Sequence, residues 1–246
     1  MGAKIIWWLF QSETAPPVFD GYENYAFGIG GGTDHIHMDL STLDCIKELE
    51  KYPKPDVIFA SPPCETWVNV SVGNIKKFST KKGINQYYEC RNFTPFDFKV
   101  EYKNRRLNGE NTAMTTAKVI QHFKPKYWFI ENGNSSLIFR FLNIRYGLNG
   151  FLNKYCYAAY GFDVWKPTII YSNKSLFLYS KRPNRKLNLI TTGNRKNKIT
   201  YESCKAKGIE VFRKNDYARK SKVPPKLYQS ILSQIKSTRF PLEETV

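Results

Sequence analysis

Short apolar runs alternate along the chain with polar, turn-rich stretches, the pattern of strands buried on both faces of a parallel sheet. KIIWWLF at 4–10 is the first such run, NYAFGIG at 24–30 the second, DVIFAS at 56–61 the third and KYWFIEN at 126–132 the fourth. The aromatic stretches NKYCYAAYG at 153–161 and TIIYSNKSLFLYS at 168–180 follow as later strands. Helical spacing falls between them. STLDCIKELEKY opens on Ser41 as an N-cap and sets Leu43, Ile46 and Leu49 along one face, before Pro53 and Pro55 stop it. GENTAMTTAKVIQHF at 109–123 is a second helix, preceded by a long polar and aromatic loop over 66–109. VPPKLYQSILSQIKS closes the pattern, with proline at the helix start and Leu227, Ile231 and Ile235 on one side.

This order predicts an α/β catalytic domain over 1–173, with a mostly parallel twisted sheet flanked by helices. A segment over 174–222 and a C-terminal helical piece over 223–246, packing back on the catalytic domain, complete the expected organisation. Parallel sheets with crossover helices carry their functional loops at the carboxyl ends of the strands. Gln11 to Thr14 lie past the first strand, Cys64 past the third, and Glu131 and Asn132 past the fourth. Three polar stretches on one rim predict a site there.

Charge adds a partner. The chain of 246 residues carries a formal net charge of +17, and residues 174–222 alone hold 15 basic and 3 acidic side chains. Asn, Thr, Tyr and Phe are interleaved with those charges, which suits a surface that neutralises phosphates and offers donors and stacking faces to bases. A nucleic acid is the partner this predicts, with Lys181, Arg182, Arg185 and Lys186 at its backbone; no protein partner is expected. No run of 18 apolar residues occurs, so no membrane span is predicted. The amino-terminal stretch reads as a strand rather than a signal peptide, and a cytoplasmic location is expected.

The five cysteines are odd in number and scattered, with no CxxC spacing, which argues against a disulfide framework and a zinc cluster. His35 and His37 have no third ligand close in sequence, and no metal is expected. That leaves Cys64, on a stiff Pro-Pro turn just past a buried strand, available for chemistry.

The blocks ASPPCETWVNVS, FKPKYWFIEN, YGFDVWKPTIIYSN and PPKLYQSILSQI, in that order, resemble the DNA cytosine-5 methyltransferases, most closely small phage-encoded members. The resemblance covers about residues 56–173 and 222–236. It implies a Rossmann-like methyltransferase fold and S-adenosyl-L-methionine as cofactor. It implies Cys64 as the nucleophile that attacks carbon 6 of a flipped cytosine, with Pro62 and Pro63 fixing the loop that presents it. Glu131 would hydrogen-bond ring nitrogen 3 and the exocyclic amine, Asn132 would hold the loop, and Lys166 would supply a cation near the base's carbonyl. Phe10, Ser61 and Asp39 would face the cofactor. The amino terminus departs from the family: LFQSETAPPVFDG keeps Phe10 but lacks glycines in the first turn, and the second strand runs into glycine where an acid is expected. Two alternatives therefore stay open, a carbon-5 modifying enzyme with another donor and a catalytically silent DNA-binding relative.

Overall fold

The computed structural model describes residues 3–10, 16–29, 35–64, 66–67, 100–162, 166–181 and 223–236. The chain divides into two compact units, one formed by Met1–Leu152 with Thr168–Ser175, the other by Asn153–Pro167 with Leu176–Val246.

The first unit is a mixed α/β structure built on the apolar runs. Strands β1 (Lys4–Leu9), β2 (Tyr22–Gly28), β3 (Ile36–His37), β4 (Val57–Ala60), β5 (Tyr127–Gly133), β6 (Phe151–Cys156) and β7 (Pro167–Ser172) are paired in the order β3-β2-β1-β4-β5-β7-β6, with Asn153–Cys156 of β6 and Pro167 of β7 counted in the second unit. The pairs β1–β2, β2–β3, β1–β4 and β4–β5 are parallel, and β5–β7 is antiparallel. Continuous apolar sequence is what such central strands require, because both of their faces are covered. All four residues of β4 are buried, as are the last four of β1.

The two faces take alternate residues. On one, Trp7, Leu9, Ile58, Ala60, Trp128 and Ile130 pack into the main core. Among the described residues, helices α1 (Cys45–Leu49), α2 (Val100–Phe123) and α3 (Ile138–Tyr146) contribute to that core. On the other face Trp8, Phe59 and Phe129 stack across the three strands, with ring centroids 4.7 and 4.9 Å apart. Offset stacking of this kind contributes about 0.5–1.5 kcal/mol per pair beyond the area buried.

Several elements differ from the pattern-based expectation. Helix α1 begins at Cys45 rather than just after Ser41, because the Asp39 carboxylate accepts the Ser41 amide at 2.8 Å and holds that stretch in a turn. Leu43 consequently lies ahead of the helix and is exposed. Helix α2 starts at Val100, nine residues before Gly109; the stretch VEYKNRRLN has strong helix formers but no apolar face to announce them. A buried-edge ion pair between Arg106 and Glu110 at 2.8 Å, one turn apart, supports this part of the helix. Helix α3, absent from the pattern reading, ends on Gly147 in the left-handed conformation, with φ of 62°. Strand β2 starts two residues earlier than NYAFGIG, and the stretches from 153 and 168 yield shorter strands, β6 passing into a 3-10 turn at Tyr157–Tyr160.

The second unit contains that 3-10 turn and helix α4 (Pro225–Lys236), whose Leu227, Tyr228, Ile231, Leu232 and Ile235 are buried. No helix among the described residues is long and apolar enough to cross a membrane.

Candidate functional site

Strand order reverses at β1, whose neighbours are β2 on one side and β4 on the other. Crossover connections then leave the sheet in opposite directions, the arrangement in which open α/β sheets bind ligands outside the carboxyl ends of the strands, here β1 and β4. The register shows what lines that end. Leu9, Ala60 and Ile130 lie in one row across β1, β4 and β5. The next residue on each strand is Phe10, Ser61 and Glu131. Chain order had separated these three widely; parallel pairing brings them to one edge.

Phe10 leaves β1 with φ of 66°. A bulky residue in the left-handed region is a backbone outlier that costs on the order of 1–3 kcal/mol, sustained only where the surroundings fix it. Its half-buried ring packs against the main core. Ser61 is held beside it, its amide donating to the Leu9 carbonyl at 3.3 Å. Asp39 is exposed just after β3. Burial, with the Asp39 and Asp44 carboxylates nearby, pushes the Cys45 thiol up to about 11, so Cys45 is an inert thiol close to Asp39.

Cys64 is half-buried at the end of the irregular 61–64 stretch and opens the turn that the Trp67 amide closes on its carbonyl. Pro62 is buried, and its carbonyl accepts a hydrogen bond at 3.0 Å from Nδ2 of Asn132, which is 1% exposed. The Asn132 side-chain oxygen accepts the Gly133 amide at 3.1 Å. One side chain at the end of β5 thus ties down the stretch that follows β4. Glu131 precedes it, half-buried and paired in register with Ile170 of β7. Pro62, Pro63 and Cys64 are therefore tied to the end of β5, where Glu131 and Asn132 are adjacent and point to opposite faces of the sheet.

Asn132→Ala leaves the buried Pro62 carbonyl without its donor, and its expected cost is about 2 kcal/mol of unfolding free energy, the usual desolvation penalty of such a group. Urea denaturation of the two proteins measures it. A difference below about 0.5 kcal/mol would show that the tie is dispensable.

The sequence reading passed over Trp67. Its ring is fully buried against Phe141 of α3, with centroids 4.9 Å apart, and its indole Nε1–H donates to the Gly109 carbonyl at 3.2 Å. Its amide donates to the Cys64 carbonyl at 3.0 Å, and its own carbonyl accepts the Leu137 amide at 3.0 Å. The signal was present in the sequence: a tryptophan three residues past Cys64, where a solvated loop has no use for one.

Lys166 belongs to the second unit. Its ammonium donates to the Tyr157 hydroxyl at 3.1 Å and lies 4.2 Å from the Tyr157 ring centroid, a cation–π contact over a buried aromatic. Lys181 is exposed, also in the second unit. Arg182, Arg185, Lys186 and the glycines at 30–32 lie outside the described residues. Among the described residues no cluster of three or more His, Cys, Asp or Glu side chains could hold a metal ion.

No protein-family model and no curated protein matches the chain. Among solved structures, a prophage-encoded protein of Escherichia coli assigned as a DNA modification methyltransferase is similar at 13% identity and a TM-score of 0.39, over 69% of this chain and 46% of that one. The methyltransferase EhMeth of Entamoeba histolytica is similar at 13% identity and a TM-score of 0.42, over 79% of this chain. The chain thus spans about half the length of the first of these structures and 62% of the second.

Proposed function

We propose that the chain is a DNA cytosine-5 methyltransferase-like enzyme. The observation that carries this reading is the corner in which Asn132 fastens the stretch leading from β4 to Cys64 to the end of β5, beside Glu131. A thiol just past β4 and a carboxylate at the end of β5, on neighbouring parallel strands, suit a pyrimidine, which needs a nucleophile at its ring face and an acceptor or acid at its edge.

In this reading the target cytosine is flipped out of the duplex into the corner. Cys64 Sγ forms a bond to carbon 6, and the ring electrons become available at carbon 5. Glu131 hydrogen-bonds ring nitrogen 3 and the exocyclic amine, favouring the charge that builds there. After carbon 5 is methylated, its proton passes to water and the carbon–sulfur bond breaks, which restores the ring and frees the thiolate. Pro62 and Pro63 limit the turn's freedom so that the sulfur meets the ring face. Lys181, Arg182, Arg185 and Lys186 are assigned to the DNA backbone.

The donor set past β1, β3 and β4 fits S-adenosyl-L-methionine, a cationic methyl donor that carries an adenine: Phe10 offers a ring face, Asp39 a carboxylate, Ser61 a hydroxyl. When bound, that cofactor supplies an electrophilic methyl group. Gly28, at the end of β2, contributes no acid, so Asp39 is the side chain assigned to the adenine amino group.

Calorimetric titration with S-adenosylmethionine, with and without duplex DNA, tests the reading. Binding is expected in both, tighter with DNA. Asp39→Ala is expected to weaken it about tenfold or more, since a hydrogen bond to a charged group contributes ~1.5–3 kcal/mol, while DNA affinity stays unchanged. No heat under either condition would assign the Cys64–Glu131 corner to a different donor.

A further inference from the structure

We propose that Gly109 and Trp67 form a lock that positions the Cys64 thiol, an inference that rests on Cys64 being the reacting group. Gly109 stands inside α2, where glycine costs about 1 kcal/mol relative to alanine. Its surroundings account for that cost. A Cβ at this position would fall inside the van der Waals shell of Thr66 Oγ1 and lie 3.2 Å from Trp67 Nε1. The helix backbone is therefore bare where the chain leaving Cys64 runs against it.

Bareness also makes the bond. Trp67 Nε1–H reaches the Gly109 carbonyl at 3.2 Å, an oxygen that also accepts the Thr112 hydroxyl at 3.1 Å. Thr66 and Trp67 are both at least nine-tenths buried. With the Trp67 amide on the Cys64 carbonyl and the Leu137 amide on the Trp67 carbonyl, the turn is fastened to α2 and to the start of α3. Asn132 secures its other side through Pro62. The thiol lies between two anchors, and Gly109 is the position that lets the second one close. Gly109 and Trp67 touch no reacting atom in this scheme; they are positioning residues.

Gly109→Ala in the full chain tests the lock, read by iodoacetamide alkylation and mass spectrometry of each cysteine peptide. Cys64 is expected to react about tenfold faster than in the parent, because a half-buried thiol is alkylated through local opening of its turn. Cys45, buried in the main core with its thiol pushed up to about 11, is expected to stay unmodified in both and to report an intact core. Adding Thr66→Ala removes the hydroxyl that the new methyl would strike and is expected to restore the slow rate. Trp67→Phe, which keeps a ring against Phe141 but loses the indole donor, is expected to give a smaller acceleration. In a methyl-transfer assay Gly109→Ala is expected to lower kcat about 10²-fold with KM little changed, the scale on which a misplacement of about 1 Å acts, and Thr66→Ala to reverse it.

An unchanged Cys64 rate in Gly109→Ala, or no restoration by Thr66→Ala, overturns the lock. So does an unchanged rate in Trp67→Phe. Alkylation of Cys45 together with Cys64 also overturns it, since Gly109 would then support the fold at large. A parent chain that transfers no methyl group while the alkylation pattern holds instead overturns the methyltransferase reading and leaves the lock standing.

Discussion

Mixed with S-adenosylmethionine and a duplex carrying 5-fluorocytosine, the protein is expected to form a covalent adduct with the DNA through Cys64. Fluorine at carbon 5 cannot leave as a proton does, so the last elimination is blocked and the carbon–sulfur bond persists. Cys64→Ala is expected to form no adduct and to lower methyl transfer about 10⁴-fold or more, the scale seen when a nucleophile that acts as part of a unit is removed. Denaturing electrophoresis of labelled DNA reads the adduct directly. Adduct formation by Cys64→Ala would remove this residue from the chemistry. The same trap with another donor in place of S-adenosylmethionine would move the chain to a different carbon-5 modification. DNA binding with no adduct under any donor would leave a silent relative.

Glu131→Gln is the second large effect. Glutamine keeps the shape and one acceptor but loses the charge and the exchangeable proton, so the base is still bound while the charge that builds on attack is no longer balanced. Methyl transfer is expected to fall about 10³-fold, within the range of positioned acid–base groups. The loss should appear in single-turnover rate rather than in DNA affinity. The fold is expected to tolerate the change, because Glu131 is half-buried and its backbone pairing with Ile170 is independent of its side chain. A variant within about threefold of the parent would exclude Glu131 from the ring contact.

The rim was legible in the sequence because its strands are. VIFA and YWFI are continuous apolar runs of strand length, and the residues that follow such runs must emerge at a sheet edge. What joins them was not legible. The Asn132–Pro62 bond spans 70 positions, and no periodicity within either segment announces it. Helix α3 was missed since IFRFLNIRY mixes apolar and basic residues over only nine positions, too few to separate a helical period from a strand. Ser41 was misread as a cap because two polar residues competed for one turn, and Asp39 took the amide. Gly109 looked like a helix boundary, the usual meaning of glycine there; its actual neighbours, Thr66 and Trp67, are over 40 positions away.

The span of the Asn132–Pro62 bond also bears on how the corner comes into being. Closing a loop of that length costs entropy before any contact repays it, and parallel pairings of distant strands are intrinsically slow. Strand β4 has little to hold it until β1, some 50 positions earlier, and β5, some 70 later, arrive on its two flanks. A nascent chain therefore carries Cys64 on an unfastened segment until residues beyond Asn132 have been synthesised. The sulfur's anchoring therefore depends on contacts of high sequence separation, the slow kind to form.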